Sequence, residues 1–411
     1  MRAGLARAAT RAVNATSRRL GRGQGTVAGG RVGLRIDPHM LEHLSAGRQI
    51  VLVTGTNGKT TTTRLVTVGL GAAGEPVVTN DTGSNMPPGQ VAALAGSDAH
   101  QAVLETDEIY LPRVLTATGA EAVVLLNLSR DQLDRTNEVR MVAGRWRAAL
   151  AAAPRTAVVA NADDPLVAWG AAAAHRVHWV GAGLRWQLDA VGCPSCAGRI
   201  EFVPGTWACT ACDFAKPAPE AWLEHAPGES ARLVWADGRV QPFRLVLPGA
   251  FNEANAAMAA VTAEACGVDA VAALRAMEAV AEVAGRFTVR RFGDHRARLM
   301  LAKNPAGWDE LLDLVAGSDA PVVVSINARV ADGADPSWLW DVPYERLAGR
   351  TVVATGDRRR DLSVRLRYAG VAHRTEADPA QAVALAAAGS DAVVDVIGNY
   401  TAFGDLLAAP A

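Results

Sequence analysis

The sequence predicts an α/β protein: a central P-loop ATPase domain carrying an inserted four-Cys ribbon, followed by a C-terminal α/β domain. Three observations carry the prediction. Short apolar runs alternate with longer Ala-rich stretches, a phosphate-loop signature follows the first such run, and two C-x-x-C pairs interrupt the alternation. The runs at 50–53, 122–126, 157–160, 321–324 and 392–396 are too short for helices and, apart from Asp395, apolar throughout, as buried parallel strands are. With 411 residues the chain holds two to three domains, at roughly 100–200 residues each. The alternation breaks at about 188–245, where Pro, Gly, Trp and cysteines cluster, and again at the charged stretch 286–298. These breaks divide the chain into a basic leader and N-terminal segment (1–46), a central domain (47–290) with an insertion at about 188–222, and a C-terminal domain (291–411).

Lys and Arg total 41 against 42 Asp and Glu, a net charge of −1 that argues against a general nucleic-acid binder. The basic residues are unevenly spread. Residues 1–36 hold eight arginines (Arg2, Arg7, Arg11, Arg18, Arg19, Arg22, Arg31, Arg35) and no acid. Such a leader reads as a partly disordered lead or solvated helix face, as a surface attracted to anionic lipid, or as a transit peptide. No run reaches the roughly 18–20 apolar residues of a spanning helix and no apolar signal region opens the chain, so a cytoplasmic protein is expected.

Thr54-Gly55-Thr56-Asn57-Gly58-Lys59-Thr60-Thr61 lies between a predicted strand and a predicted helix. Glycines there let backbone N–H groups approach an anion, the helix N-terminus adds positive potential, Lys59 is placed for β- and γ-phosphates, and Thr60 for Mg²⁺. The generic pattern wants glycine at position 53, where this chain has Val53. A tight turn with chance Gly and Lys, and a GTPase-type switch, are the alternatives from this loop alone.

Cys193-Pro-Ser-Cys196 and Cys209-Thr-Ala-Cys212 are separated by twelve residues. Four thiolates from two tight turns suit tetrahedral Zn²⁺, and a closed four-sulfur shell leaves no open position for catalysis, so the ribbon reads as structural. Redox pairs or disulfides are the weaker reading in a chain expected to be cytoplasmic. Cys266, in an Ala-rich helical pattern, reads as a small core residue.

The variant phosphate loop resembles that of the Mur ligase superfamily, and further resemblances follow in chain order. Glu105-Thr106-Asp107-Glu108 is similar to its acidic metal-binding segment, which implies Glu105 as a Mg²⁺ ligand together with Thr60. Asn127-Leu-Ser-Arg-Asp131-Gln132-Leu-Asp134 resembles its Asn-x-x-x-Asp-His-x-Asp segment, with Gln132 in place of the metal-binding His. Asn161-Ala-Asp-Asp-Pro165 and Asn252-Glu-Ala-Asn255 match positions flanking adenine and phosphates, and Gly285-Arg286-Phe287 matches an element at the terminal phosphate. Taken singly, Asn161 to Pro165 reads equally as a turn and helix cap, Asn252 as an N-cap and Arg286 as a surface ion-pair partner. The resemblance implies ATP-dependent amide-bond formation through an acyl phosphate, with ATP, Mg²⁺ and structural Zn²⁺ bound.

Within that superfamily the four-Cys ribbon and the sequences at 301–307 and 327–341 resemble the MurT branch, the ligase-like subunits of lipid II isoglutaminyl synthase. That resemblance covers about 25–405 and implies a Rossmann-like C-terminal domain, amidation of the D-glutamate α-carboxylate of the lipid II stem peptide, and a GatD-type glutaminase partner that supplies ammonia. It further implies that a carboxylate of the C-terminal domain completes the partner's catalytic triad: Asp335, with Asp341 as second choice. Asp335 reads equally as an Asx turn or helix N-cap before Pro336. Trp338 and Trp340 are spaced like residues on one face of a strand. Asn80, Thr82, Ser84 and Asn85 are candidate grips on the acceptor. A self-sufficient amino-acid-adding Mur or folylpolyglutamate-type ligase, and a zinc-ribbon binding protein that uses ATP as a switch, are the competing readings.

Overall fold

The computed structural model describes residues 2–19, 26–80, 84–131, 139–225, 230–283, 286–389 and 392–409. It resolves into two compact units, Met1–Leu128 with Glu138–Ala281, and Ser129–Asn137 with Glu282–Ala411. Thr82, Gln132, Asp134 and Gly285 lie outside the described residues.

The first unit runs α1 (Arg2–Arg19), α2 (Thr26–Ile36), α3 (Met40–Ser45), β1 (Gln49–Thr54), α4 (Lys59–Gly71), β2 (Val77–Thr79), α5 (Pro87–Gly96), β3 (Gln101–Glu105), α6 (Leu111–Thr118), β4 (Ala122–Leu125), α7 (Val139–Ala151), β5 (Ala157–Asn161), α8 (Pro165–Ala171) and β6 (Arg176–Gly181). After these come the ribbon hairpin β7 (Ile200–Val203) and β8 (Thr206–Cys209), then β9 (Ala221–Glu224), β10 (Ala231–Trp235), β11 (Val240–Phe243), α9 (Ala250–Ala265) and α10 (Ala270–Glu278). Nine strands form one sheet in the order β11-β10-β9-β6-β5-β4-β1-β3-β2. From β9 to β2 every neighbouring pair is parallel, and β10 and β11 add an antiparallel edge. The apolar runs at 50–53, 122–126 and 157–160 become β1, β4 and β5, side by side and fully buried. The ribbon leaves the sheet after β6 and returns at β9, its parallel neighbour, so it is an insertion that does not disturb strand order.

The described part of the basic leader is mainly helical, in α1 and α2. Ala6, Thr10 and Asn14 are buried on α1, which packs on α2 and α5. The α2–α5 approach is close enough that a Cβ on Gly30 would lie 1.7 Å from the Pro88 carbonyl oxygen. Arg7 and Arg11 turn inward, donating to the Ala95 carbonyl at 3.3 and 2.5 Å, and Arg48 donates to the Ser97 carbonyl at 2.6 Å. Three cations thus satisfy carbonyls at the negative end of α5. Arg2, Arg19, Arg31 and Arg35 face solvent. No described helix is long and apolar enough to cross a membrane.

The second unit contains β12 (Phe287–Phe292), β13 (His295–Leu301), α11 (Pro305–Ala316), β14 (Val322–Ser325), β15 (Val352–Thr355), α12 (Arg359–Tyr368), β16 (His373–Thr375), α13 (Pro379–Ala387), β17 (Val394–Gly398) and α14 (Tyr400–Ala408). Its sheet order is β12-β13-β17-β14-β15-β16, parallel except for the β12–β13 hairpin. The last strand inserts between β13 and β14, so the strand order reverses beside β14, and a crevice opens at the carboxyl ends of the strands at such a reversal. Residues 337–341 form a 3₁₀ turn rather than the strand that the Trp spacing predicts: Trp338 is buried, while Trp340 is 54% exposed. The Asp335 carboxylate accepts the Ser337 N–H and closes the backbone into that turn.

Candidate functional site

The phosphate loop is shaped by two glycines and clamped by one asparagine. Gly58, the residue before α4, has φ 84° and Gly55 has φ 142°, both in the region that disfavours a side chain. A Cβ on Gly58 would stand 2.7 Å from Asn255 Oδ1, and one on Gly55 2.9 Å from Leu126 Cβ. Asn127, just past β4, accepts the Asn57 N–H on its Oδ1 at 2.9 Å, donates from Nδ2 to the Asn57 carbonyl at 3.1 Å, and accepts the Thr56 N–H on its own carbonyl at 2.9 Å. The motif that contains Asn127 does not encode this clamp locally, because it exists only once β4 lies beside β1.

Lys59 opens α4 and is buried. Its ammonium donates to the Gly55 and Thr56 carbonyls at 2.5 and 3.1 Å and pairs with Glu108 Oε2 at 3.0 Å. Thr60 and Thr61 follow in the first turn, where the helix N-terminus favours anions.

Glu105 ends β3, adjacent to β1, and is 2% exposed. Its backbone is held on both sides: Asn80 Oδ1 accepts the Glu105 N–H at 2.8 Å, and Asn80 and Gln90 donate to the Glu105 carbonyl at 2.9 and 3.1 Å. No hydrogen bond reaches the Glu105 carboxylate from any described residue. A buried carboxylate beside an anion loop, without a partner among the described residues, fits a divalent cation as its counter-charge. Asn80, proposed above for the acceptor, is occupied in fixing the Glu105 backbone, and its Nδ2 also donates to the Ser84 carbonyl at 2.8 Å.

The Asn161-to-Pro165 segment ends β5 and caps α8. Asp164 accepts the Leu166 and Val167 N–H groups on Oδ1, at 2.9 and 3.2 Å, and the Leu128 N–H on Oδ2, at 2.8 Å. Burial pushes its carboxyl up to about 6 against the pull of those three donors. Asn161 donates to the Gly183 carbonyl at 2.9 Å. Asn252 lies inside the first turn of α9, with Gly249 as the cap, and donates to the Pro248 carbonyl at 2.7 Å. Asn255, one turn on, packs on Gly58. The first unit therefore brings Gly55 to Thr61, Glu105 and Asn255 to neighbouring loops at the strand ends, while Arg286 stands at the head of β12 in the second unit.

The four cysteines converge as their spacing predicts: the Sγ atoms of Cys193, Cys196, Cys209 and Cys212 all lie within 4.8 Å of one another. The Cys196–Cys209 and Cys193–Cys212 separations are 3.5 and 3.8 Å, against about 3.8 Å for the edge of a tetrahedron with Zn–S bonds of about 2.3 Å. Gly198 and Ala211 N–H groups donate to Cys196 and Cys209 Sγ at 3.3 Å, the bonds that turn each pair into a knuckle. That bond from Ala211 lowers the pKa of the Cys209 thiol, whereas burial raises that of Cys193 in the same cluster. The donor set fits zinc, and among the described residues it contains no fifth ligating group. Cys266 closes α9 as its C-cap residue, half-buried rather than in the core.

In the second unit the strand ends carry a connected polar network. Asn327 and Asn399 bond reciprocally across β14 and β17, with the Asn327 N–H to Asn399 Oδ1 at 3.0 Å and Asn399 Nδ2 to the Asn327 carbonyl at 2.6 Å. Asn327 Nδ2 donates to Thr401 and Asp405, and its Oδ1 accepts the Asp357 N–H. Asp332 accepts from the Arg329 and Thr401 N–H groups and the Thr401 hydroxyl, which fixes the segment leading to Asp335. Asp335 is exposed, and Ser337 donates its N–H and hydroxyl to the two carboxylate oxygens at 2.8 and 2.9 Å. Asp341 faces Arg130 at 3.6 Å in a small pocket lined also by Lys303, Asp332 and Trp338. Asp335 is thus an outward, oriented carboxylate, and Asp341 one with a cation beside it.

Comparison with known proteins agrees with this anatomy. Residues 53–186 match the family model of the Mur ligase middle domain, and residues 301–403 that of the MurT ligase C-terminal region. The chain is 29% identical over 375 residues to the Streptococcus pneumoniae protein named lipid II isoglutaminyl synthase (glutamine-hydrolyzing) subunit MurT, spanning 85% of this chain and 83% of that one. It is 28% identical over 389 residues to the Staphylococcus aureus subunit of the same name, spanning 89% and 86%. In fold it is similar to a pseudomurein peptide ligase type C from Methanothermus fervidus, with a TM-score of 0.70 at 18% identity over 90% of this chain and 80% of that one. Two family models in the expected order, relatives that span most of both chains, and a Mur ligase fold with a four-thiolate ribbon lead to one statement: the chain carries a Mur ligase middle domain and a MurT ligase C-terminal region, and is similar over most of its length to MurT subunits.

Proposed function

We propose that this chain is the ligase subunit of a lipid II isoglutaminyl synthase, amidating the D-glutamate α-carboxylate of the stem peptide with ammonia from a GatD-type glutaminase. The observation that carries the reading is the pairing, on adjacent strands, of a clamped phosphate loop with the buried carboxylate of Glu105, to which no described residue donates. A carboxylate oxygen of the acceptor attacks the γ-phosphorus of ATP, ADP leaves, and an acyl phosphate forms. Ammonia then attacks the acyl carbon, phosphate departs, and the attacking nitrogen loses a proton. Lys59 and the N–H groups of α4 oppose the charge on the phosphates, and Glu105 and Thr60 would hold the Mg²⁺ that neutralises the rest. Asn161, Asn252, Asn255 and Arg286 are assigned to the nucleotide. The four thiolates hold Zn²⁺ and take no part in the step.

Four of the five cysteines converge in the ribbon and Cys266 is half-buried at a helix end, which favours a glutaminase nucleophile supplied by a partner. Asp335 serves the partner instead: a carboxylate against the far nitrogen of an imidazole fixes its tautomer and stabilises the imidazolium. The ligase works on a lipid-linked substrate from the cytoplasmic side, and the outward arginines Arg2, Arg19, Arg31 and Arg35 favour an anionic surface there. The test is co-expression with the glutaminase, then mass spectrometry of lipid II incubated with ATP, Mg²⁺ and glutamine. Replacement of one hydroxyl by an amino group is the expected change. An intact complex that leaves the mass unchanged rejects the reading.

A further inference from the structure

The ribbon stands outside the chemistry proposed above, yet it is bonded at two points to the segment that follows β5. Trp207 of β8 is 2% exposed and donates its indole N–H to the Ala162 carbonyl at 3.1 Å. Lys216 pairs with Asp163 Oδ1 at 2.5 Å, with only 13% and 19% of the two side chains exposed. The other Asp163 oxygen accepts the Gly183 N–H at 2.7 Å, and the Lys216 N–H donates to the Trp207 carbonyl at 3.0 Å, so both grips are cross-braced. The chain from there to Asn161 is short: the Asp163 N–H donates to Asn161 Oδ1 at 3.0 Å.

Both grips depend on the cysteine knuckles. β8 ends at Cys209, whose N–H donates to the Phe214 carbonyl at 2.8 Å, and the Phe214 ring lies 4.9 Å from Trp207. Cys193, Ile200 and Trp207 close with Ala168 of α8 into a small core of their own. Whatever orders the four thiolates therefore orders Trp207 and Lys216.

We infer that the four-Cys ribbon is a positioning element of the nucleotide site, holding residues 161–163 in place through Trp207 and Lys216. The inference rests on the assignment of that segment to the nucleotide. It makes zinc occupancy and nucleotide affinity thermodynamically coupled, so each ligand strengthens the other by the same factor.

The test uses the full chain in complex with its partner and calorimetric titration with Mg·ADP. Trp207→Phe keeps the ring and removes the N–H, and Lys216→Gln removes the ion pair; each is expected to weaken ADP binding about fivefold to tenfold. Zinc content of the variants, one ion per chain, verifies that the knuckles are intact, and Lys216→Gln at the rim keeps the test open if Trp207→Phe misfolds. Stripping zinc should weaken ADP at least as much, and saturating ADP should raise zinc affinity against a competing chelator by the same factor. Unchanged ADP affinity in both variants and in the zinc-free protein, while Asn161→Ala weakens it, overturns the ribbon's role alone. Unchanged affinity in Asn161→Ala as well removes the segment from the nucleotide site and overturns both.

Discussion

The phosphate loop of the first unit and the 327–341 segment of the second both leave the C-terminal end of a buried parallel strand, yet they are built by opposite means. The loop takes its shape from its own backbone: two glycines in unusual conformations within four residues, braced by one asparagine. The 327–341 segment has no such local code. Asn327 is bonded to groups 30 to 78 residues away, and Asp335 is presented outward only because Asp332 and Asn327 are tied to β17, α14 and the end of β15. A backbone-built site suits an anion, which needs N–H groups at close range; a side-chain network suits the presentation of a single oriented carboxylate.

If that contrast holds, damage to the loop should end every activity, whereas damage to the segment should divide them. Lys59→Ala is expected to lower amidation by at least about a hundredfold with glutamine or with ammonium salt, read as initial rates. Asp335→Asn is expected to abolish glutamine-dependent amidation, by as much as about 10⁴-fold, while ammonium-driven amidation stays near wild type. Equal loss of both would remove Asp335 from the partner's triad, and a selective loss in Asp341→Asn instead would transfer the role to Asp341.

Asn327→Ala leaves the network's buried groups without partners and should cost about 2–3 kcal/mol of stability in the second unit. Calorimetric melting would show it as a lowered transition, with Mg·ADP affinity of the first unit unchanged; weakened ADP binding would break the comparison. The smallest effect concerns Asp164. Its folded carboxyl titrates at about 6, above the unfolded value of about 3.9, so protonation favours the folded state and stability declines as pH rises from about 4 through 6. Asp164→Asn should flatten that part of the stability–pH curve, and an unaltered slope would assign it to other groups.

The same contrast explains what was legible in the sequence. The strands, the loop and the knuckles are local codes: apolar runs of fixed length, Gly-x-x-Gly-Lys-Thr, and C-x-x-C twice. They emerge as β1, β4 and β5, the anion loop at α4, and four sulfurs within 4.8 Å of one another. The clamp by Asn127, the ion pair of Lys59 with Glu108 and the grip of Lys216 on Asp163 were not legible, because each depends on which strands become neighbours. The tryptophans misled for a related reason. An alternating pair reads as a strand until the Asp335–Pro336–Ser337 turn intervenes, after which Trp338 enters the core beside Trp308 while Trp340 lies against Tyr368 at the surface.

The arginine clasp on α5 has a consequence for the order in which the protein is made. Arg7 and Arg11 bond to groups 84 to 91 residues further along the chain. During synthesis the first helix therefore emerges long before the carbonyls of Ala95 and Ser97 or the carboxylate of Asp98 exist to receive it. The helix can pack on α2 as soon as that follows, but its two arginines must wait on the nascent chain without these partners until α5 is complete.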